Sequence, residues 1–531
     1  MSTSAEQPVL VAGQWRASRG PVGTFQAENP ATGAPLPPIF PVSSRDEVLE
    51  TVQAASLATQ ELHDAEPESI AAFLERFADL IEASREELVL SAHLETGLPE
   101  KTRLDATELP RTTNQLRQAA QAARERVWTR PVIDTKLNIR ATHAPLGGPI
   151  VIFGPNNFPF AFNAISGGDF AAALAARNPV IARANPGHPA TTRLLANLAV
   201  QALQESGLPA ASIQLLYHFT DEVGLELVSH SALGATGFTG SKNAGLKLKE
   251  AADRAGKPIY LELSSVNPVF ILPGALEERL DAIAGEFCTS CTMGAGQFCT
   301  NPGLIVVPAG ALGESFLQAA TSRFQQAAPG VLFSRRGIFS LENTLRVLTD
   351  YGAQLVTGGH PLEGSGYGFA PTLLRVSGQD FLRQSLALQT EAFGPASLLI
   401  FAADAQQTLE IACQLDGNLT GTVYSHSGDQ DDAFYQRLEP LLRTRVGRLL
   451  NDKMPTGVAV SPAMNHGGPF PATGHPGFTS VGLPAAIDRF TRLYSYDNVR
   501  SRRLPAELQD KNPTGYLWRV IDGIWTQGDV S

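Results

Sequence analysis

An α/β fold built from two doubly wound units in tandem is predicted by three features of the 531-residue chain. From residue 149 onward, short apolar runs alternate with stretches of helical period, which is how a parallel sheet covered on both faces reads. A second series of the same kind starts near residue 268. The length is also too great for one simple core, so two or three folded units with a cleft between them are expected.

Taken in order, the chain opens with a short hairpin region to about Glu28, followed by the turn Asn29-Pro30-Ala31-Thr32-Gly33. Helical periodicity holds from about 45 to 127, with Ser44 placed as an N-cap. Residues 131–144 lack caps and alternate loosely, as an extended arm would. The first unit takes strands at 149–153, 179–183, 213–217, 233–238 and 257–263. Helices at 168–176, 189–205 and 243–255 fill the gaps. Strands of the second unit fall near 269–272, 303–307 and 396–401. After 478 a helix (484–490), a strand (491–496) and a polar tail are expected. Pro and Gly are scattered as turn punctuation, with no repeat or low-complexity stretch.

With 43% hydrophobic and 18% charged residues, the composition is that of an ordinary globular protein. The net charge of −11 argues against binding nucleic acid or an anionic membrane. Four cysteines are too few for a disulfide framework and fit a reducing compartment. The start carries no basic patch followed by an apolar core, and no apolar run could span a bilayer, so a cytoplasmic protein is expected.

Chemistry concentrates at Cys299, in Gly294-Ala295-Gly296-Gln297-Phe298-Cys299-Thr300-Asn301-Pro302-Gly303. Small residues before it and a Pro-Gly pair after it put the thiol on a turn, where it can act as a nucleophile. A lone cysteine is more often a small buried hydrophobe, and its company decides between the two. The first strand of the α/β region runs into Gly154-Pro155-Asn156-Asn157-Phe158-Pro159, beyond a carboxyl end where parallel sheets bind ligands. Gly240 and Ser241 open a helix after the fourth strand and make an anion site. Glu262 ends an apolar strand, so a raised pKa suited to a general base is expected, against the alternative of an edge glutamate facing water. Glu391 precedes the rigid turn Ala392-Phe393-Gly394-Pro395. Cys288 and Cys291 read as core. His466 and His475 lack metal-type spacing and read as loop residues, so no metal is expected.

Together these segments resemble the aldehyde dehydrogenase superfamily over nearly the whole chain. The likeness runs from Trp15 and Asn29–Gly33 through Asn157-Phe158-Pro159, Phe238-Thr239-Gly240-Ser241, Glu262-Leu263, Gly296–Cys299 and Glu391–Pro395. Ser265-Val266-Asn267-Pro268, residues 297–303, residues 466–473 and the tail at 518–523 are similar to one branch. It holds the α-ketoglutaric semialdehyde (2,5-dioxovalerate) dehydrogenases and NADP-dependent fatty aldehyde dehydrogenases. The resemblance implies two Rossmann-like doubly wound domains plus a β arm. Residues 1–130 and 147–263 would bind cofactor, 264–477 would form the catalytic domain, and 131–146 with 478–531 an oligomerisation arm and tail.

The resemblance also assigns roles. Cys299 would attack the aldehyde, Asn157 with the Cys299 N–H would hold the oxyanion, and Glu262 would activate water for the thioester. Glu391 would grip the nicotinamide ribose with Phe393 beside it, and Gly240-Ser241 would take the pyrophosphate. Arg183 stands where the superfamily usually has lysine, and Pro186 where NAD users have glutamate. This implies NADP over NAD, with Arg183, or else Asn185 or Lys242, at the 2′-phosphate. Glu108, Arg111, Gln115 and Arg117 fall on one helix near the substrate entrance, where Arg117 would pair with the distal carboxylate of an acid semialdehyde. Phe158, Phe160 and Phe298 would equally accept an aliphatic chain. A homodimer or homotetramer is implied, with 131–144 and 491–496 pairing across subunits. The alternatives are a medium- or long-chain aldehyde dehydrogenase, a CoA-acylating enzyme and a catalytically silent relative.

Overall fold

The computed structural model describes residues 6–531. The first five residues, part of the segment read as lacking a secretory signal, lie outside the described residues. Five parallel strands form the first sheet in the spatial order Ile259–Glu262, Ala235–Thr239, Ile150–Phe153, Val180–Arg183 and Ile213–Leu216. An N-terminal hairpin, Val9–Val11 and Gln14–Arg16, adds antiparallel at the Ile213–Leu216 edge. The order reverses beside Ile150–Phe153, so the loop after this strand lies at the switch point where ligands bind. These strands are largely buried, which is why each reads as a mostly apolar run.

The second sheet has seven strands, with Leu304–Pro308 and Val269–Ile271 at its centre. Ala396–Ala402 and Asn418–Tyr424 flank them in parallel register. Gly303 is therefore the last residue before a central strand, and Cys299 stands just ahead of it on a turn. Helix Pro273–Thr292 leads into that turn through Gly294, Ala295 and Gly296, all with positive φ. Gly296 cannot be replaced here without strain, since a Cβ would stand 2.0 Å from the Gly394 carbonyl oxygen. The small residue serves an approach to the Glu391–Pro395 turn.

The helical N-terminal region is as expected, with the Ser44 side chain capping helix Arg45–His63 at the Glu47 N–H. One departure is a π-helix over Glu100–Glu108, running directly into helix Leu109–Glu125. The arm consists of Val132–Asp134 and Ile139–Pro145, and the latter pairs antiparallel with Thr491–Asp497 of the same chain. The tail, expected to be merely polar, adds a second hairpin to this sheet, Arg519–Ile521 and Ile524–Thr526. Asp522 and Gly523 both take positive φ at its turn, as a two-residue hairpin loop requires. Residues 485–490, expected as α-helix, are 3-10 instead. Among the described residues, no helix is long and apolar enough to cross a membrane.

Candidate active site

Asn157, Glu262 and Cys299 arrive from three different chain segments and meet in one place. The Asn157 amide donates to the Gln297 carbonyl at 3.0 Å, two residues before the cysteine. Phe158 and Phe298, the neighbours of Asn157 and Cys299, pack edge to face at 5.4 Å. The loop carrying Asn157 is gripped from behind. Arg103 donates to the Asn157 carbonyl at 3.0 Å, and the Glu108 carboxylate accepts the N–H groups of Phe160 and Ala161 at 2.8 and 2.9 Å. Arg103 and Glu108 also pair with each other, both buried. These are charge-assisted bonds among buried groups, the strong kind. The cysteine turn is held likewise by Asn267, whose amide donates to the carbonyls of Cys299 and Asn301 at 2.9 Å each.

His466 lies in a loop, as expected, but that loop brings it into the site. Its Nε2 stands 3.4 Å from the Cys299 sulfur and 2.9 Å from Oε1 of Glu262, and the ring is buried. The other Glu262 oxygen accepts from the Ser480 hydroxyl at 3.0 Å. These bonds reverse the electrostatics expected for Glu262. Burial pushes its carboxyl pKa up, but attraction and hydrogen bonds from His466 and Ser480 outweigh it, leaving the pKa below the ordinary carboxylate value. The Cys299 thiol is raised well above its usual range by burial and by the adjacent Glu262 charge, with Arg111 acting in the opposite direction.

Arg117 is a second correction. Its guanidinium points outward to Glu82 at 2.7 Å and Asp79 at 2.9 Å on helix Pro67–Ala83. Arg111, on the same helix, faces the site. It lies 5.3 Å from the Phe158 ring centre and 5.0 Å from that of Phe162, and its Nε and one Nη have no hydrogen-bond partner among the described residues. Burial lowers its pKa to about 10. Gln115 donates instead to the Ala161 carbonyl and supports the loop.

The groups expected to hold a nicotinamide cofactor gather at the carboxyl ends of the first sheet. Ser241 caps helix Lys242–Arg254, with its hydroxyl accepting from Ala244. Arg183 donates to Nδ1 of His218 at 2.8 Å and keeps an unpartnered buried Nε, while burial lowers its pKa to about 10. Asn185 is occupied within its own loop, donating to the Gly154 carbonyl and accepting the Gly187 N–H. Across the cleft, burial pushes the Glu391 carboxyl up to about 7, so near neutral pH its protonated form can donate to, and its ionised form accept from, a ribose hydroxyl. Phe393 is the exposed residue of that turn. An orphaned guanidinium N–H, a capped helix start and a carboxyl of raised pKa fit a dinucleotide.

The aldehyde dehydrogenase family model matches residues 15–468. Alpha-ketoglutaric semialdehyde dehydrogenase 2 of Azospirillum brasilense is 37% identical over 516 residues, covering 95% of this chain and 97% of that one. Alpha-ketoglutaric semialdehyde dehydrogenase of Acinetobacter baylyi is 35% identical over 529 residues, covering 98% of each. A solved structure of NAD-dependent aldehyde dehydrogenase from Sinorhizobium meliloti shares the fold at a TM-score of 0.77 and 22% identity, covering 94% of this chain and 96% of that one. With the thiol, the amide and the carboxylate already gathered in one place, these likenesses lead to one conclusion: the chain belongs to the aldehyde dehydrogenase family and is an NAD(P)-dependent enzyme that oxidises aldehydes.

Proposed function

We propose that the enzyme is an NADP-preferring dehydrogenase of an acid semialdehyde such as α-ketoglutaric semialdehyde. The observation that carries this is Arg111, a half-buried guanidinium with two unpartnered nitrogens, set against the phenylalanines beside Cys299. A buried donor left without an acceptor is costly, and a substrate carboxylate would satisfy two of them at once. The names of the two curated relatives point to the same substrate class.

Cys299 attacks the aldehyde carbon as its thiol proton passes to the adjacent Glu262 carboxylate, which releases it to solvent before the hydrolytic step, while Nε2–H of His466 holds that carboxylate in place. The Asn157 amide and the Cys299 N–H receive the developing oxyanion, held ready by Arg103, Glu108 and Asn267. Ser241, Arg183 and Glu391 would hold the dinucleotide, which when bound would serve as the hydride acceptor. Once the thioester has formed, Glu262 takes a proton from water, which attacks the acyl carbon with the Cys299 thiolate as leaving group. Keeping Glu262 ionised through His466 and Ser480 suits it to this task.

Arg183, with His218 buttressing it, supports the 2′-phosphate preference, while Asn185 is already engaged. Homo-oligomer formation is supported by the arm sheet: among the described residues nothing pairs with the outer side of Thr491–Asp497, and Leu493, Trp518 and Trp525 are exposed. The test is kcat/KM for α-ketoglutaric semialdehyde and for hexanal with each cofactor. The reading requires the semialdehyde to be favoured and NADP to exceed NAD; a reversal of either removes that half.

A further inference from the structure

The Cys299 sulfur, Nε2 of His466 and a carboxylate oxygen of Glu262 all lie within 4.8 Å of one another. A thiolate, an imidazole and a carboxylate are the ligand types Zn2+ takes, and three protein ligands with one open position is a common arrangement for that ion. Zinc–ligand distances of about 2.0–2.3 Å set tetrahedral edges of roughly 3.4–3.6 Å. The sulfur-to-His466 edge, at 3.4 Å, already fits, and the His466-to-Glu262 edge, at 2.9 Å, has to open by only about half an ångström. Glu262 is braced from outside by the Ser480 hydroxyl, and the backbone of His466 is fixed by its own N–H donating to the Thr479 hydroxyl.

We propose that Cys299, His466 and Glu262 form a Zn2+ site, and that the ion is a reversible inhibitor that masks the nucleophile. The inference rests on reading Cys299 as that nucleophile. On binding, the Sγ–H proton leaves to solvent as the Zn–S bond forms. His466 loses the Nε2 proton it had donated to Glu262 to solvent, or moves it to Nδ1, and its freed lone pair and a Glu262 oxygen add two further bonds, with water in the fourth position. No electron changes hands. Thiolate and carboxylate together balance the ion's two charges, which matters because Arg111 and Arg448 both act electrostatically on Cys299. His466 is decisive, since without it a thiolate and a carboxylate alone make a weak pair.

The test is a Co2+ titration of full-length enzyme freed of metal with a chelator. A thiolate-to-cobalt absorption band is expected, saturating at one ion per subunit and displaced by Zn2+. Cys299→Ala, which keeps the exposed Cys413, should lose the band, as should Cys299→Ser; His466→Gln should weaken Co2+ binding at least tenfold. Zn2+ should suppress aldehyde oxidation by the wild-type enzyme, with activity restored by chelator. A band that survives both cysteine variants, or unchanged affinity in His466→Gln, overturns the proposal. If metal-free enzyme oxidises aldehydes but never shows the band, only the metal site falls. If the band forms and no aldehyde is oxidised, the catalytic reading falls instead.

Discussion

Nε2 of His466 stands 2.9 Å from Oε1 of Glu262, although 204 positions separate the two residues in the chain. The contact keeps the carboxylate ionised, and that charge in turn suppresses thiolate formation at Cys299. Replacing Glu262 by Gln removes a neighbouring negative charge, so the thiol pKa falls and more thiolate is present at any given pH. Alkylation of Cys299 by iodoacetamide at pH 7 should therefore speed up several-fold in Glu262→Gln, while steady-state turnover falls by about 10²-fold or more. Slower alkylation would show that Glu262 does not restrain the thiol.

Arg111 and Arg117 make a matched pair for substrate recognition. Arg111→Ala should raise KM for a keto-acid semialdehyde by about 10–100-fold, the worth of a charge-assisted pair, and leave hexanal little changed. Arg117→Ala should alter neither, because its partners are Asp79 and Glu82 on the surface. Steady-state kinetics on the two variants with both aldehydes decides it.

Arg183→Ala should lower kcat/KM with NADP at least tenfold and leave NAD within about threefold, since only the 2′-phosphate needs that guanidinium. His218→Ala frees Arg183 from its acceptor, so a smaller shift in the same ratio is expected. Equal losses with both cofactors would place Arg183 in general support of the fold.

Gly296→Ala tests the backbone contact between the turn that carries Cys299 and the turn that follows Glu391. Its added methyl meets the Gly394 carbonyl at 2.0 Å and its φ of +67° disfavours any side chain. A loss of about 3 kcal/mol or more is expected, read as a lower unfolding midpoint, together with a higher KM for cofactor as the Glu391 turn shifts.

The parallel strands of the first sheet were legible to within about two residues, because burial on both faces leaves an apolar run between helices. Asn157, Glu262 and Cys299 were visible as unusual residues in unusual settings. His466 and Ser480 were not, because they reach Glu262 by a long return of the chain that no local spacing records. Arg117 was preferred over Arg111 on a helix whose phase was not resolved; six residues at about 100° each turn one away from the other by about 240°. The closing hairpin did announce itself in Asp522-Gly523 between apolar pairs, a turn signal passed over as tail.

Arg519 is fully buried although it lies near the end of the sequence, and its guanidinium serves the carbonyls of Gln509, Asp510 and Gly528. The last dozen residues are thus a clasp for the arm sheet, and the strand they add shields one side of Val132–Asp134. Shortened versions ending before Trp518 would uncover that side and strand a cation's former acceptors, inviting aggregation, so any purification handle is better fused at the opposite end of the polypeptide.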